Sequence, residues 1–127
     1  QRYSHAVAQA TVKRLKENGL VNDRVFAQAW SDSRTSHRPR SASLVRRELL
    51  EKGVPRDIAQ EAVGALNDEE NAYIAGKRSA VFLDKVDYHN FQHRLSGYLH
   101  RRGFSYSTVR RITRSLWEEH RVEEVGT

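Results

Sequence analysis

The sequence predicts an all-α protein made of tandem three-helix, helix-turn-helix-like repeats, arranged in an elongated right-handed or curved array. Three observations support this fold class. Only two prolines interrupt the 127 residues, apolar residues recur at spacings of three and four, and β-branched alternation is scarce, which together favour helices over strands. One helical pattern also returns fifty residues further along the chain, as expected of a repeat architecture.

The first predicted helix ends at Gly19 and buries one face, formed by Ala8, Val12 and Leu15. Glycine suits this end because it adopts the left-handed conformation without a steric penalty. We assign residues 1–21 to the last helix of a first repeat that is otherwise missing. Because the chain begins with Gln1 and contains no methionine, we expect it to have been trimmed at the N-terminus.

The second predicted helix begins at Asn22, a good N-cap residue. Val21 and Phe26 stand at the two positions of a hydrophobic staple around this cap. We expect the helix to bury Phe26, Ala29 and Trp30. The segment Ser31–Ser43 that follows is polar and rich in arginine, which predicts an exposed basic loop.

Capping and helix-breaking residues define the next two helices. Ser41 or Ser43 caps a helix that ends at Lys52, Gly53 stops it, and a third helix runs from about Pro55 to Leu66. The pattern returns fifty residues later in the pairs Val45/Leu95, Leu49/Leu99, Gly53/Gly103, Val54/Phe104, Ala59/Val109, Ala62/Ile112 and Leu66/Leu116. Both glycines are therefore predicted to close Schellman turns with apolar contacts around them.

Each of these helix pairs is preceded by a helix opened by Asn-Asp, at residues 22 and 67. This offset is forty-five residues, so a loop near Asp84–Tyr88 must absorb the remaining five. The predicted domains are the last helix of a truncated repeat (1–21), two three-helix repeats (22–66 and 67–120) and a C-terminal tail (121–127).

Composition narrows the class of protein. Cysteine is absent, so no disulfide framework or thiolate metal site holds the fold. No apolar run approaches the roughly 20 residues of a membrane span, and no signal-peptide pattern opens the chain. We expect a soluble cytoplasmic protein that acts as a monomer.

The formal net charge is +6, and opposite charges occupy separate blocks. Tyr88–Trp117 contains six arginines and no carboxylate, whereas Asp57–Asn71 contains five acids and no base. Clustered like charges are costly unless an anionic partner meets them, although complementing helix dipoles on a solvated face remains an alternative role. The candidate binding residues are Arg94, Arg101, Arg102, Arg110, Arg111 and Arg114, with Arg34, Arg38, Arg40, Arg46 and Arg47 as an extension of the surface.

No pattern for catalysis is present: the sequence lacks a glycine-rich phosphate loop, a nucleophile elbow and a plausible catalytic carboxylate pair. We therefore predict no enzyme activity, cofactor or small-molecule substrate. His89 and His93 share a helix face, but Asn90 breaks the metalloprotease pattern and no third ligand is evident, so no metal site is predicted. Tyr88 and Tyr106 are expected to be exposed, whereas core packing is predicted for Trp30, Tyr73, Phe82, Phe91, Tyr98 and Trp117.

Three segments carry a resemblance to a known family: Gly19–Trp30 (GLVNDRVFAQAW), Arg46–Pro55 (RRELLEKGVP) and Leu99–Tyr106 (LHRRGFSY). In this order, and on the fifty-residue repeat, they resemble the bacterial RecX family over nearly the whole chain. The resemblance implies tandem three-helix repeats, usually three. It also implies a regulator that lies in the groove of the RecA filament on single-stranded DNA and inhibits RecA ATPase and strand exchange, in DNA repair, recombination and the SOS response.

Three functional hypotheses follow. The leading one is that the basic faces of the two complete repeats bind DNA phosphates and acidic surfaces of RecA protomers. The second is a helix-turn-helix regulator of duplex DNA, with the basic helix that carries Arg110, Arg111 and Arg114 in the major groove. Against it, Asp57 and Glu61 make the equivalent helix of the first copy acidic, and phosphate would repel that helix. The third is a helical scaffold whose arginines only maintain solubility.

Overall fold

The computed structural model describes residues 22–37 and 39–126. Six helices and a 3-10 turn make up these segments: α1 (22–36), α2 (Ala42–Glu51), α3 (Arg56–Val63), α4 (Asp68–Ala80), the turn Val81–Leu83, α5 (Tyr88–Arg101) and α6 (Tyr106–Gly126). Within these segments there is no β-strand, and the predicted all-α class is confirmed. The helix predicted before Gly19, and the staple residue Val21, lie outside the described residues.

The buried apolar residues form two clusters, one for each three-helix unit. The first joins α1, α2 and α3, and the second joins α4, α5 and α6. The predicted repeat is borne out by five apolar pairs that are buried in both copies, namely Val45/Leu95, Leu49/Leu99, Val54/Phe104, Ala59/Val109 and Ala62/Ile112. The last pair differs, because Leu116 is buried whereas Leu66 is only partly buried against its cluster.

The turns after α2 and α5 are Schellman motifs, as predicted. Gly53 has φ +89° and Gly103 has φ +92°, values that glycine adopts without the cost a Cβ would add. In the first turn Gly53 N donates to Leu50 O and Val54 N donates to Leu49 O, both at 3.0 Å. Gly103 and Phe104 repeat the pattern onto α5, at 2.9 and 3.3 Å. The carbonyls that a helix leaves unpaired at its end are thereby satisfied.

Polar side chains cap the N-termini of four described helices, including α6, where Ser105 Oγ accepts from Thr108 N at 3.3 Å. Ser41 Oγ accepts from Leu44 N at 3.0 Å, which selects the first of the two predicted caps of α2. Asn67 Oδ1 accepts from Glu70 N at 3.1 Å, and Asp87 Oδ1 accepts from Asn90 N at 2.8 Å. Pro55 stands one position before α3, at its N-cap, rather than within the first turn.

The prediction of an exposed basic loop at Ser31–Ser43 is wrong over much of its length. Helix α1 continues to residue 36, and Ser31, Pro39 and Ser41 are buried. Within the continued helix, Thr35 Oγ1 donates to Ser31 O at 2.9 Å, so the threonine hydroxyl bonds to the preceding turn of the same helix.

The buried face of α1 also differs from the prediction. Ala27 is fully buried, whereas Phe26 is 40% exposed and Ala29 is exposed. Trp30 packs against the first core from a partly buried position. Asn22 is already helical, so it is not the N-cap. The buried face of α1 is therefore shifted by one residue toward the C-terminus relative to the predicted face.

Hydrogen bonds join the two units at the start of α2. Ser41 N donates to Arg102 O at 3.0 Å, and Ala42 N donates to Asp68 Oδ1 at 2.8 Å. The carbonyls of Ser36 and His37 accept from Arg78 Nη1 at 3.3 and 3.2 Å. Because backbone atoms of both units take part, this joint fixes how the repeats sit relative to each other.

The last helix is longer than predicted, because α6 continues through the residues assigned to a tail from 121 onward. Contacts with α4 support this extension. Glu119 accepts hydrogen bonds from Tyr73 Oη and Lys77 Nζ, both at 2.9 Å, and Lys77 also lies 3.3 Å from Glu123. Among the described residues, none of the helices combines the length and the hydropathy that a membrane span requires.

Candidate functional site

Two of the predicted binding arginines are paired inside the first unit. Arg34 Nε lies 3.6 Å from Glu48 Oε1, and Arg40 donates a hydrogen bond to Glu48 Oε2. Trp30 Nε1 donates to the same carboxylate at 3.0 Å, and its ring lies beneath the Arg34 guanidinium at 4.2 Å. Glu48, on α2, thus contacts Trp30 and Arg34 of α1 and Arg40 of the segment that follows α1. The single carboxylate offsets the charge of one of these two arginines and holds both side chains in place, which reduces what they offer to a partner.

The other arginines of the first unit are dispersed. Arg47 is exposed and lies 4.0 Å from Glu51 on the next turn of α2, whereas Arg46 is half-buried. Arg38 lies outside the described residues. Of the arginines predicted to extend the basic surface over this unit, only Arg46 and Arg47 on α2 are described and lie outside the Glu48 contacts.

In the second unit, α5 places Arg94 and Arg101 beside an open groove. The groove has a volume of about 580 Å³ and lies between α5 and the 3-10 turn after α4. Its lining consists of Ser79, Phe82, Leu83, His93, Arg94, Gly97, Tyr98 and Arg101. Both arginines are exposed, and among the described residues neither forms an ion pair.

Arg102 is half-buried and serves the fold. Its guanidinium lies 4.9 Å from the centre of the Tyr98 ring, an arrangement favourable for a cation–π contact. Its carbonyl oxygen is the acceptor for Ser41 N at the joint. Arg102 also occupies the C-cap of α5, where a positive charge complements the helix dipole.

Helix α6 exposes the three arginines predicted for it, in two different environments. Arg111 donates to Glu69 from both Nε, at 3.1 Å, and Nη2. This hydrogen bonding raises the pKa of Arg111 and lowers the pKa of the Glu69 carboxyl. Arg110 lies 4.9 Å from the Tyr106 ring centre, while Arg114 has no carboxylate within 4.0 Å in the described part of the chain. Arg110 and Arg114 therefore remain available to an anion.

The exposed aromatic residues are partly those predicted. Tyr88 is 47% and Tyr106 is 67% exposed, as expected, and Phe91 is fully buried. Phe82 was predicted to pack in the core, but it is 85% exposed. The chain leaves α4 in a 3-10 turn there, so that only Leu83 of the run Val81–Leu83 points into the core. Sequence reasoning missed Phe82, although three adjacent apolar residues at a helix end cannot all face one side.

His89 and His93 lie on one helix face, as their spacing predicted. Their rings are stacked with centroids 6.5 Å apart. Among the described residues, no group of three or more histidine, aspartate and glutamate side chains is placed to hold a metal ion.

Both copies contain a helix-turn-helix arrangement, but their second helices differ in charge. Helix α3 exposes Asp57 and Glu61, and Glu61 lies 2.6 Å from Arg24 of α1. Helix α6 exposes arginine at the corresponding place. An anion would therefore meet exposed carboxylates on α3 and exposed guanidinium groups on α6.

Comparisons with known proteins agree with this architecture. Residues 22–63 match the family model described as RecX, second three-helix domain. The crystal structure of RecX from Lactobacillus salivarius has a TM-score of 0.69 over 91% of this chain and 77% of that chain, at 20% sequence identity, which supports the fold.

Two curated relatives extend the match over most of the chain. Regulatory protein RecX of Streptomyces coelicolor is 35% identical over 115 residues, covering 88% of this chain, and the chain spans 61% of the length of that relative. Regulatory protein RecX of Prosthecochloris aestuarii is 32% identical over 114 residues, which cover 90% of this chain and 75% of the relative. Given this identity over such coverage, and two three-helix units with equivalent cores, the chain belongs to the RecX family of regulatory proteins.

Proposed function

We propose that this protein is a non-enzymatic regulator of the RecA recombinase, which binds the RecA filament on single-stranded DNA and inhibits its ATPase and strand-exchange activities. Membership of the RecX family supports this function. The structural observation that carries it concerns four of the predicted binding arginines in the second unit, which are exposed and have no carboxylate partner among the described residues: Arg94, Arg101, Arg110 and Arg114.

These four arginines fit a filament because it offers two kinds of anion. DNA supplies phosphates along its backbone, and guanidinium forks bind phosphate and carboxylate groups alike through paired hydrogen bonds. Binding to phosphate releases counterions and is strongly salt-dependent. A rigid joint between the repeats allows a protein to contact two neighbouring anionic surfaces without losing much conformational entropy on binding.

The test uses the purified chain with RecA and single-stranded DNA. ATP hydrolysis and strand exchange are measured at increasing ratios of this protein to RecA, with heat-denatured protein as the control. We expect both activities to fall as the ratio approaches stoichiometry. Unchanged activities at stoichiometric amounts would exclude the proposal. Sedimentation of the protein alone would test the further expectation that it acts as a monomer.

The second candidate is a regulator that binds duplex DNA directly through α6. It is favoured by Arg110, Arg114 and the exposed Tyr106 on the second helix of a helix-turn-helix arrangement, since this helix enters the major groove in proteins of that class. Sequence-selective binding to naked duplex in the absence of RecA would support it. A salt-sensitive affinity that is indifferent to sequence would not.

A further inference from the structure

The groove between α5 and the turn Val81–Leu83 combines an exposed ring with positive charge. We propose that it is a subsite for one unpaired nucleotide of a single strand, whose base stacks on Phe82 while its adjacent phosphates bind Arg94 and Arg101. The inference rests on the proposed function, because it names the DNA-contacting part of the same basic unit.

Phe82 lines the groove with an exposed aromatic ring. Its side chain is 85% exposed, although a phenylalanine ring gains more than most side chains from burial. Large exposed apolar groups on a folded protein commonly mark a binding surface. An accessible aromatic ring offers a planar face to any nucleobase, and proteins that bind single strands use such rings as stacking platforms.

Of the residues that line the groove in the described part of the chain, Arg94 and Arg101 are positively charged and none is acidic. Across the same turn, Val81 borders a cavity of about 280 Å³ with a lining of mixed charge, in which Asp84 and Glu123 accompany Lys77. The two sides of the turn therefore differ in electrostatic character, and the side with the exposed ring is the one that attracts phosphate.

At the floor of the groove, Gly97 has no side chain to fill the space, and the Arg101 guanidinium folds close over it: a Cβ built at Gly97 would lie 3.2 Å from Arg101 Nη1. Tyr98, partly buried with one side against Arg102, closes the groove along α5. A base thus has room beside the Phe82 ring with two guanidinium groups within the same opening.

A single strand fits this combination better than the alternatives. The bases of a duplex are stacked on each other and have no free face for Phe82. The carboxylates of an acidic polypeptide would pair with Arg94 and Arg101, but they offer no aromatic face to the exposed ring. An unpaired nucleotide supplies both a base for the ring and phosphates for the arginines.

The test compares two strands of equal length and equal charge: fluorescein-labelled oligothymidylate and an oligonucleotide of abasic sites. Affinities are measured by fluorescence anisotropy without RecA for the wild type, Phe82→Leu and Phe82→Trp. Val81→Ala is the matched control, because Val81 is also exposed, at 71%, but does not line the groove.

We expect Phe82→Leu to weaken binding to oligothymidylate by about five- to tenfold, as loss of one stacked base predicts, and to leave binding to the abasic strand unchanged. Phe82→Trp should retain the wild-type affinity and Val81→Ala should match the wild type. Equal effects of Phe82→Leu on the two strands, or no effect on either, would overturn the subsite.

The arginines have a separate readout. The double variant Arg94→Gln, Arg101→Gln should weaken binding to both strands and reduce the slope of log affinity against log salt by about 1.4, as expected for two phosphate contacts on a single strand. An oligoglutamate peptide serves as a competitor. Displacement of oligothymidylate that depends on the arginines but not on the Phe82 ring would assign the groove to an acidic polypeptide and overturn the proposal.

These outcomes separate the subsite from the proposed function. If the protein inhibits RecA while Phe82→Leu binds both strands as the wild type does, the subsite is wrong and the regulatory function stands. If binding depends on the ring but RecA ATPase and strand exchange are unaffected by the protein, the subsite stands and the regulatory function is wrong.

Discussion

The backbone amide of Ser41 donates a hydrogen bond to the carbonyl oxygen of Arg102 at 3.0 Å, and so links the first turn of α2 to the turn that follows α5. Gly103, the next residue, lies directly against Ser41 and Leu44. The Gly103 turn is therefore both the end of a helix and the contact between the two repeats. Gly53, the equivalent residue of the first repeat, only ends a helix.

This difference predicts unequal effects of the same substitution. In Gly53→Ala, the new Cβ meets no atom within 4 Å, so the cost is that of the left-handed conformation, about 1–2 kcal/mol. In Gly103→Ala, the Cβ would lie 2.5 Å from Ser41 Oγ and 2.6 Å from Leu44 Cβ, which adds an overpacking cost of about 1–3 kcal/mol. Urea unfolding should give a clearly lower free energy of unfolding for Gly103→Ala than for Gly53→Ala. Equal loss of stability would mean that the repeats are not tightly joined at this glycine.

The second prediction concerns the Glu48 cluster. Glu48→Ala would remove the acceptor of Trp30 Nε1 and the partner of two arginines that are only 26% and 19% exposed. Leaving such groups unpaired costs about 2 kcal/mol in the free energy of unfolding. The change in the free energy of unfolding is measured by urea denaturation, with tryptophan fluorescence as the signal.

The control for this cluster is Glu51→Ala, which removes an exposed carboxylate that lies 4.0 Å from Arg47. Its effect on the free energy of unfolding should stay within about 0.5 kcal/mol, as is usual for exposed pairs. If Glu48→Ala were as mild, Arg34 and Arg40 would not depend on Glu48 and would be available to a partner.

The third prediction divides the arginines of α6. The triple variant Arg110→Ala, Arg111→Ala, Arg114→Ala should weaken binding to the RecA filament by about tenfold, since exposed ionic contacts contribute up to about 1 kcal/mol each. Arg111 is already paired with Glu69. The double variant Arg110→Ala, Arg114→Ala should therefore lose nearly as much affinity for the RecA filament as the triple variant. The half-inhibitory concentration in the ATPase assay measures the effect, with circular dichroism to check helix content.

Arg121→Ala is the matched control for these variants, because Arg121 is an exposed arginine further along the same helix and lies 3.3 Å from Glu118. Its inhibition curve should overlay that of the wild type. Wild-type inhibition by the triple variant would remove this face of α6 from the binding surface.

The fourth prediction is a loss of stability in acid that depends on Glu119. The hydrogen bond from Lys77, followed by that from Tyr73, lowers the pKa of the Glu119 carboxyl below its ordinary value of 4.5. A carboxyl whose pKa is lower in the folded state stabilises the fold above the unfolded pKa, and this contribution is lost as the pH falls through the folded pKa. Urea midpoints should therefore decline below about pH 4.5.

Glu119→Gln should flatten part of that decline, because glutamine does not titrate and still accepts a hydrogen bond. The effect is moderated by solvent, since the Glu119 side chain is 38% exposed. Glu118→Gln removes the neighbouring carboxylate and serves as the control. A pH profile of Glu119→Gln that is identical to the wild type would contradict the role assigned to the contact between α4 and α6.

The fold was largely predictable because its determinants are local. These determinants are the glycine at a helix end, the N-caps Ser41 and Asn67, and the apolar periodicity, and each acts within a few residues. The fifty-residue repeat presents local signals of the same kind a second time. Errors arose where a distant contact decided the outcome. The buried Ser31 is one example, since nothing in its own neighbourhood indicates that α2 and α3 pack over that part of α1.

The site was predictable only in part, for a related reason. The sequence shows which arginines are present, but not which carboxylate each will meet. Glu48 is eight residues from Arg40 and fourteen from Arg34, and Glu69 is forty-two residues from Arg111. Such pairings depend on how helices from different parts of the chain pack together, so the available positive charge had to be read from the structure.

By itself, the sequence determined the all-helical class, the repeat, the glycine turns and the block of arginines from Arg94 to Arg114, because these follow from short-range propensity, periodicity and the order of charged residues along the chain. The tertiary structure decided which charges stay unpaired, how Ser41 and Arg102 join the repeats, and that Phe82 faces solvent beside Arg94 and Arg101. The physical reason is that pairing and burial depend on residues far apart in the chain, which come together only when the helices pack.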